Sequence, residues 1–316
     1  MGDRWRLWKA HWVTVFSPAR TETTGAPMLS SVMALGAGVV WSMGALTARL
    51  AVHTNAWQYL IWRSVGIIVV IEFLSVRTRG LAVTGSVLRR AYTSGWVMLV
   101  ACGSLLVASL GFVYALKNTT AANAAFLASI TPLIAVILAR LVLGERLTGV
   151  TIGAIAVAFI GLVITVAADV GVGNMRGNVA AVLSSVGFAA YTVCVRSDPH
   201  RDWSPVMPGY ASMMIVLCGL VCAVTGHTVF PPGADIGWAL VHGGILIVVG
   251  TLLFNAASRS VPAVAMTVLA QTETVFVPLW IFLRFDETPK AATLVGGAVI
   301  LAAVLGKTVL DARPSR

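Results

Sequence analysis

Charge is what this chain has least of. Only 11% of its 316 residues are Asp, Glu, Lys or Arg, whereas a soluble domain carries roughly a quarter. A soluble globular protein is therefore excluded. Acidic residues are scarcer than basic ones, 12 against 22, so the formal net charge is +10. The basic residues are dispersed between apolar runs, which makes them topology signals and excludes a nucleic-acid partner. Cysteine is also sparse. Cys102, Cys194, Cys218 and Cys222 all fall inside apolar runs. Cys218 and Cys222 are one helical turn apart, but no His or carboxylate accompanies them, so they read as buried thiols and no metal site is expected. The five histidines are scattered, and the sequence has neither a His-Glu-x-x-His run nor a Gly-x-x-x-x-Gly-Lys-Ser/Thr run. No catalytic set, cofactor or nucleotide site is therefore expected. Residues 1–28 lack an apolar core and a small-residue cleavage site, so no secretory signal is expected.

What the chain has is apolar length. Hydrophobic residues make up 58% of it, and mean hydropathy is +0.89. A membrane-spanning helix needs about 20 apolar residues. Ten such segments are expected, at 29–52, 57–76, 95–116, 119–143, 149–168, 177–196, 205–226, 236–256, 261–284 and 290–309. Before them lies a basic and aromatic arm, 1–28, in which Trp5, Trp8 and Trp12 share one helical face. It reads equally as a short amphipathic helix on the membrane surface or as a frayed tail. The Lys/Arg bias puts both termini and the basic link from Arg77 to Arg90 on the cytoplasmic side. Lys117, Arg176, Arg284 and Lys290 fall on the other side. The even number of spans agrees with that orientation.

Thr119–Thr151 recurs, without a gap, 142 positions later as Val261–Thr293. Ala121 matches Ala263, Leu127 matches Leu269, Leu141 matches Leu283 and Glu145 matches Glu287. Apolar matches are cheap in this composition, and the matched Glu after each run carries the argument. The chain is read as one unit used twice, 29–168 and 177–310. Five helices per unit is an odd number, so the second unit enters the membrane upside down. Inverted repeats of this kind are a transporter signature, with binding near the midplane.

At these residues the sequence resembles a known family. ANAAFLASITPLIAVILARLVLGERLT and VLAQTETVFVPLWIFLRFDET, with Trp41-Ser42-Met43-Gly44 and Trp62-Arg63, are similar to the EamA-type branch of the drug/metabolite transporter superfamily. The second motif departs from the usual pattern: Asp286-Glu287 stands for Gly-Glu, and Thr274 stands where a Pro is usual. The resemblance implies an all-α carrier of the inner, cytoplasmic membrane, with a central cavity lined by the first four helices of each half. The fifth helices would serve as packing or homodimer contacts. The family covers amino acids, nucleobases, vitamins, sugars and drugs, by efflux among other modes.

Charges inside a span cost roughly 2.5–3.5 kcal/mol on insertion scales and need a reason. Glu273 lies 12 residues after Val261, near mid-span, and reads as a proton site, a partner for a cationic group, or a buried structural acceptor. Arg63 lies six residues after Trp57, about 9 Å deep, where it would suit a carboxylate or phosphate through its planar fork, or reach the interface. His242 enters its span to a similar depth, as a cavity or structural histidine. Thr267, Gln271 and Thr274 form a polar stripe, either a cavity wall or an interhelical seam. Trp41 is a candidate aromatic wall. Together Arg63 and Glu273 would suit a zwitterion, so an amino-acid-like metabolite is the leading substrate expectation, with export the direction considered. An intramembrane lipid-modifying enzyme and a channel are the alternatives from other classes.

Overall fold

The computed structural model describes residues 27–80, 85–143, 149–167, 175–198, 201–257 and 272–311. The arm before residue 27, and Thr267 and Gln271 of the polar stripe, lie outside these described residues. Every described element is helical. In chain order they are α1 (Pro27–Leu50), α2 (Ala56–Arg79), α3 (Ser86–Thr93), α4 (Trp96–Asn118), α5 (Ala121–Ala128), α6 (Thr131–Leu143), α7 (Gly149–Ala167), α8 (Met175–Ser197), α9 (Val206–Thr225) and α10 (Gly233–Leu240). A π-helical turn (Val241–Ile247), α11 (Val248–Ala257), α12 (Thr272–Phe285) and α13 (Ala291–Asp311) complete them.

Local chemistry sets the helix boundaries. Asn55 and Gln58 form a reciprocal capping box at the start of α2, with Gln58 N donating to Asn55 Oδ1 (2.9 Å) and Asn55 N to Gln58 Oε1 (3.2 Å). Thr120 caps α5 by accepting from Asn123 N (3.2 Å). Pro132 has no amide hydrogen, so the apolar run it interrupts is built as two helices, α5 and α6. Glu72 caps the link into α3 by accepting from Gly85 N (2.9 Å) and Leu88 N (3.4 Å). Its carboxylate is thereby committed to structure.

Among the described residues, eight stretches are long and apolar enough to cross a membrane. The fourth joins α5 and α6 (Ala121–Leu143), and the eighth runs Gly233–Phe254 through the π turn. α12 has 14 described residues, and the apolar part of α13 is Ala291–Gly306. Both fall short of that length. The ninth expected segment starts at 261, and 258–271 lie outside the described residues.

The two matched halves interlock instead of standing side by side. α4 packs along α8, α2 on α9 and the π turn, α1 on α11 and α12, and α7 on α13. Each of these pairs joins a first-half helix to a second-half one. The crossings are close because small residues meet there. A Cβ on Gly161 of α7 would come within 2.7 Å of Gly296 O on α13. Ser184 of α8 donates to Ala108 O of α4 (2.6 Å). The main core is likewise shared: Tyr59, Leu60, Val113 and Leu116 pack with Met214, Cys218, Val277 and Ile281.

Candidate functional site

A deeply buried charge lies where the halves meet. Arg63 is only 3% exposed. It does not reach for an interface. One guanidinium nitrogen, Nη2, donates to Ser109 Oγ of α4, while Nε is buried and has no hydrogen-bond partner. Its charge acts on Tyr59, on Cys218 and Tyr210 of α9, and on His242 of the π turn. Ser109 also interacts with Tyr210. Tyr59 and Arg63 are four apart on α2 and so share its inner face. Ion pairs among the described residues join Arg49 to Glu287, Arg90 to Asp202 and Arg201 to Asp198. No carboxylate among the described residues pairs with Arg63. A guanidinium taken out of water without a counter-ion is costly, and its planar fork has the geometry that pairs with carboxylates and phosphates.

The π turn packs against the backbone of α2 at Arg63. α2 crosses it so closely that a Cβ on Gly66 would come within 2.8 Å of Leu240 O and 2.9 Å of Gly244 N. A Cβ on Gly243 would overlap the carbonyl of Arg63. The consecutive Gly243 and Gly244 allow that approach, and wide π turns recur at functional sites. The turn carries His242, which is 4% exposed. Its Nδ1 lies 2.8 Å from the Tyr59 hydroxyl, and its Nε2 faces Gly44 of α1. Tyr59 also bonds Thr47 Oγ1 (3.0 Å).

The other expected residues make contacts of their own. Trp41 packs on Gly250 and stacks with Phe254 of α11, ring centroids 5.4 Å apart. Glu273 is half-buried near the start of α12, on a helix that packs against α1 and α5. Trp280 of the same helix donates to Ser42 Oγ of α1 (2.9 Å). Thr274 is buried and bonded. The structure thus brings Arg63 and His242 together, while Glu273 stands on another helix, α12. Sequence reasoning missed Tyr59, Ser109 and Tyr210. The i, i+4 spacing of Tyr59 and Arg63 was available to find the first. Ser109 and Tyr210 carry no local signal.

Comparison with known proteins decides the family. The EamA-like transporter family matches residues 28–167 and again 175–308. The chain belongs to that family. This EamA-like transporter is a multi-pass membrane protein built on two repeats. No curated protein sequence matches it. A solved structure, described simply as a crystal structure of a protein, is 21% identical to it. That match covers 92% of this chain and 100% of the other, with a TM-score of 0.62. At that identity the likeness speaks for the fold alone.

Proposed function

We propose that this EamA-like transporter is a secondary carrier for a small, carboxylate-bearing organic metabolite, amino-acid-like in kind, working by alternating access in the cytoplasmic membrane. The observation that carries the reading is Arg63: a guanidinium buried between the halves, with an unpartnered Nε and no acidic partner among the described residues. Its planar fork matches a carboxylate. Tyr59, Ser109, Tyr210 and His242 supply the polar wall that would fix the ligand's orientation. Glu273 is proposed as the second charged participant, for a proton or an ammonium group, reached as the halves rearrange.

The architecture proposed for this work is ten spans in two inverted five-helix halves, with both termini cytoplasmic. Two observations support it. Glu287 follows α12, yet it meets Ala121 at the start of α5, while α6, which matches α12 in the repeat, ends at Leu143, the far end of the Ala121–Leu143 stretch. Matched positions therefore fall at opposite ends. The link before α10 meets α2 at its Gln58–Trp62 end, through Thr228 and Val229, whereas Arg79 closes the other end of α2. Cysteines placed singly at Arg79 and Gly233 should react with an impermeant reagent from opposite sides. Reaction of both from one side overturns the arrangement.

The function itself is tested in proteoliposomes against a panel of carboxylates, amino acids, amines and neutral metabolites. Saturable movement of carboxylate-bearing compounds is expected. Arg63→Lys keeps the charge but loses the fork, so it should raise KM about tenfold, equivalent to about 1.4 kcal/mol, more than it lowers maximal rate. Normal transport by a folded Arg63→Met variant overturns the reading.

A further inference from the structure

A second cationic site lies apart from Arg63, at the end of the bundle where α1 and α4 finish and α5 begins. A cavity of about 310 Å³ is lined there by Arg49, Lys117, Asn118, Thr119, Thr120 and Glu287. A neighbouring space of about 360 Å³ shares Arg49, Lys117 and Asn118. Two cations and one acid line the first cavity, so its lining is positive in sum. Among the described residues, Lys117 Nζ donates to two neutral carbonyls, those of Ala51 and Thr54, and lies 5.3 Å from the centroid of the Tyr59 ring. The charge of Asp235 also acts on Lys117, but that carboxylate is buried and accepts the amide of His53 (2.8 Å).

Arg49 is only partly used. Nη2 donates to Thr119 O (2.6 Å) and stands 3.4 Å from Glu287 Oε2. Its Nε is buried without a partner. The other Glu287 oxygen, Oε1, accepts the amide of Ala121 at the N-terminus of α5 (2.9 Å). The Glu287 carboxylate is therefore held as a free anion would be held, by an arginine and a helix N-terminus. It is tethered through the non-helical link between α12 and α13.

We propose that this cavity is a recognition site for small carboxylates, and that Glu287 occupies the position of the ligand's carboxylate until one displaces it. An arriving carboxylate takes the Ala121 amide and Arg49 together. Glu287 is thereby released from the first half of the chain. This does not require Arg63 to bind substrate, and the two ideas fail separately: one test reads transport, the other reads occupancy at this mouth.

The test uses full-length protein in detergent, with the four native cysteines replaced and Asn118→Cys as reporter. Maleimide labelling is timed in sodium acetate against sodium chloride of equal ionic strength. Acetate should slow labelling at Asn118→Cys and leave a Thr93→Cys control unchanged. A tethered group competes at an effective concentration on the order of millimolar or more. Glu287→Gln should therefore lower the half-protecting acetate concentration about tenfold. Arg49→Gln should abolish protection. If that variant does not fold, Lys117→Gln should weaken protection instead. No protection by acetate, protection that survives loss of the cation, or weaker binding in Glu287→Gln overturns the proposal.

Discussion

Tyr59 and His242 stand 2.8 Å apart, hydroxyl to Nδ1, across the boundary between the two matched halves. The proton order of this contact follows from its neighbours. Thr47 Oγ1 donates to Gly44 O (2.9 Å), so toward Tyr59 it must accept (3.0 Å). A phenol has one hydrogen to give. With that hydrogen on Thr47, the Tyr59 oxygen accepts from His242, and the histidine carries its proton on Nδ1.

Nitrogen-15 NMR of histidine-labelled protein should therefore show His242 protonated at Nδ1. Tyr59→Phe removes the hydroxyl at the middle of the chain and leaves the buried His242 Nδ1–H without an acceptor, while Thr47 keeps its bond to Gly44 O. It should cost about 1–3 kcal/mol, read as a lowered melting temperature. Thr47→Val breaks only the far end and should cost less.

The π turn makes a steric prediction. A methyl on Gly243 would overlap a backbone carbonyl that cannot swing aside. Gly243→Ala should cost at least about 1–3 kcal/mol and move His242 out of register with Tyr59. Gly149 and Gly153 of α7 have open space where a methyl would project, so Ala at either should be neutral or stabilise by up to about 1 kcal/mol. Thermal melts of the three variants in one detergent check the contrast.

The same glycines show what was legible in the sequence. The duplicated stretch, with Glu145 and Glu287 at matched positions, and the apolar runs were readable because they repeat along the chain. Arg63 was readable because an ionised group inside an apolar run needs a reason. Its depth misled: counted along α2 it could reach an interface, whereas the guanidinium turns inward to Ser109. Ser109 and Tyr210 look like any polar residue on an apolar helix. Only the crossing of α2, α4 and α9 gives them a role. The π turn depends on how closely α2 approaches Gly243 and Gly244, which no periodicity encodes. Gly149 and Gly153, spaced like a packing motif, face open space, while Gly161 makes the close crossing with Gly296.

Outside the spans, Asp202 links α9 to α3. Burial alone would raise its pKa. Hydrogen bonds from Ser204 N (3.0 Å) and Arg90 Nη2 (2.8 Å), with the Arg90 charge, outweigh that and hold it below the ordinary 3.8. A depressed carboxylate contributes stability above its unfolded pKa and loses it as pH falls through the folded value. Both side chains are about a third exposed, so the contribution should stay below about 1 kcal/mol. Asp202→Asn should melt slightly below wild type near neutral pH, and the gap should close under acid, at and below the ordinary carboxylate range. A gap independent of pH means that Asp202 acts through packing.

Glu273 carries the last prediction. It sits on α12, the helix tied to α1 by Trp280 and Ser42, and no ion pair to it occurs among the described residues. A carboxylate half-buried in a membrane helix is easiest to keep when a proton or a cationic group neutralises it. If that neutralisation is part of the transport cycle, Glu273→Gln should abolish transport or uncouple it from the proton gradient. Expression and melting temperature should stay near wild type, because Gln fills the same volume and keeps an acceptor. If the group only fills a structural place, the variant should either transport normally or lose transport together with its fold. Measuring uptake, its dependence on a pH gradient and the melting temperature in one preparation separates these outcomes. Adding Arg63→Lys gives a double-mutant cycle. Additive effects on KM would mean that Arg63 and Glu273 serve different steps, as their placement on different helices suggests, and coupled effects would mean that one substrate molecule bridges them.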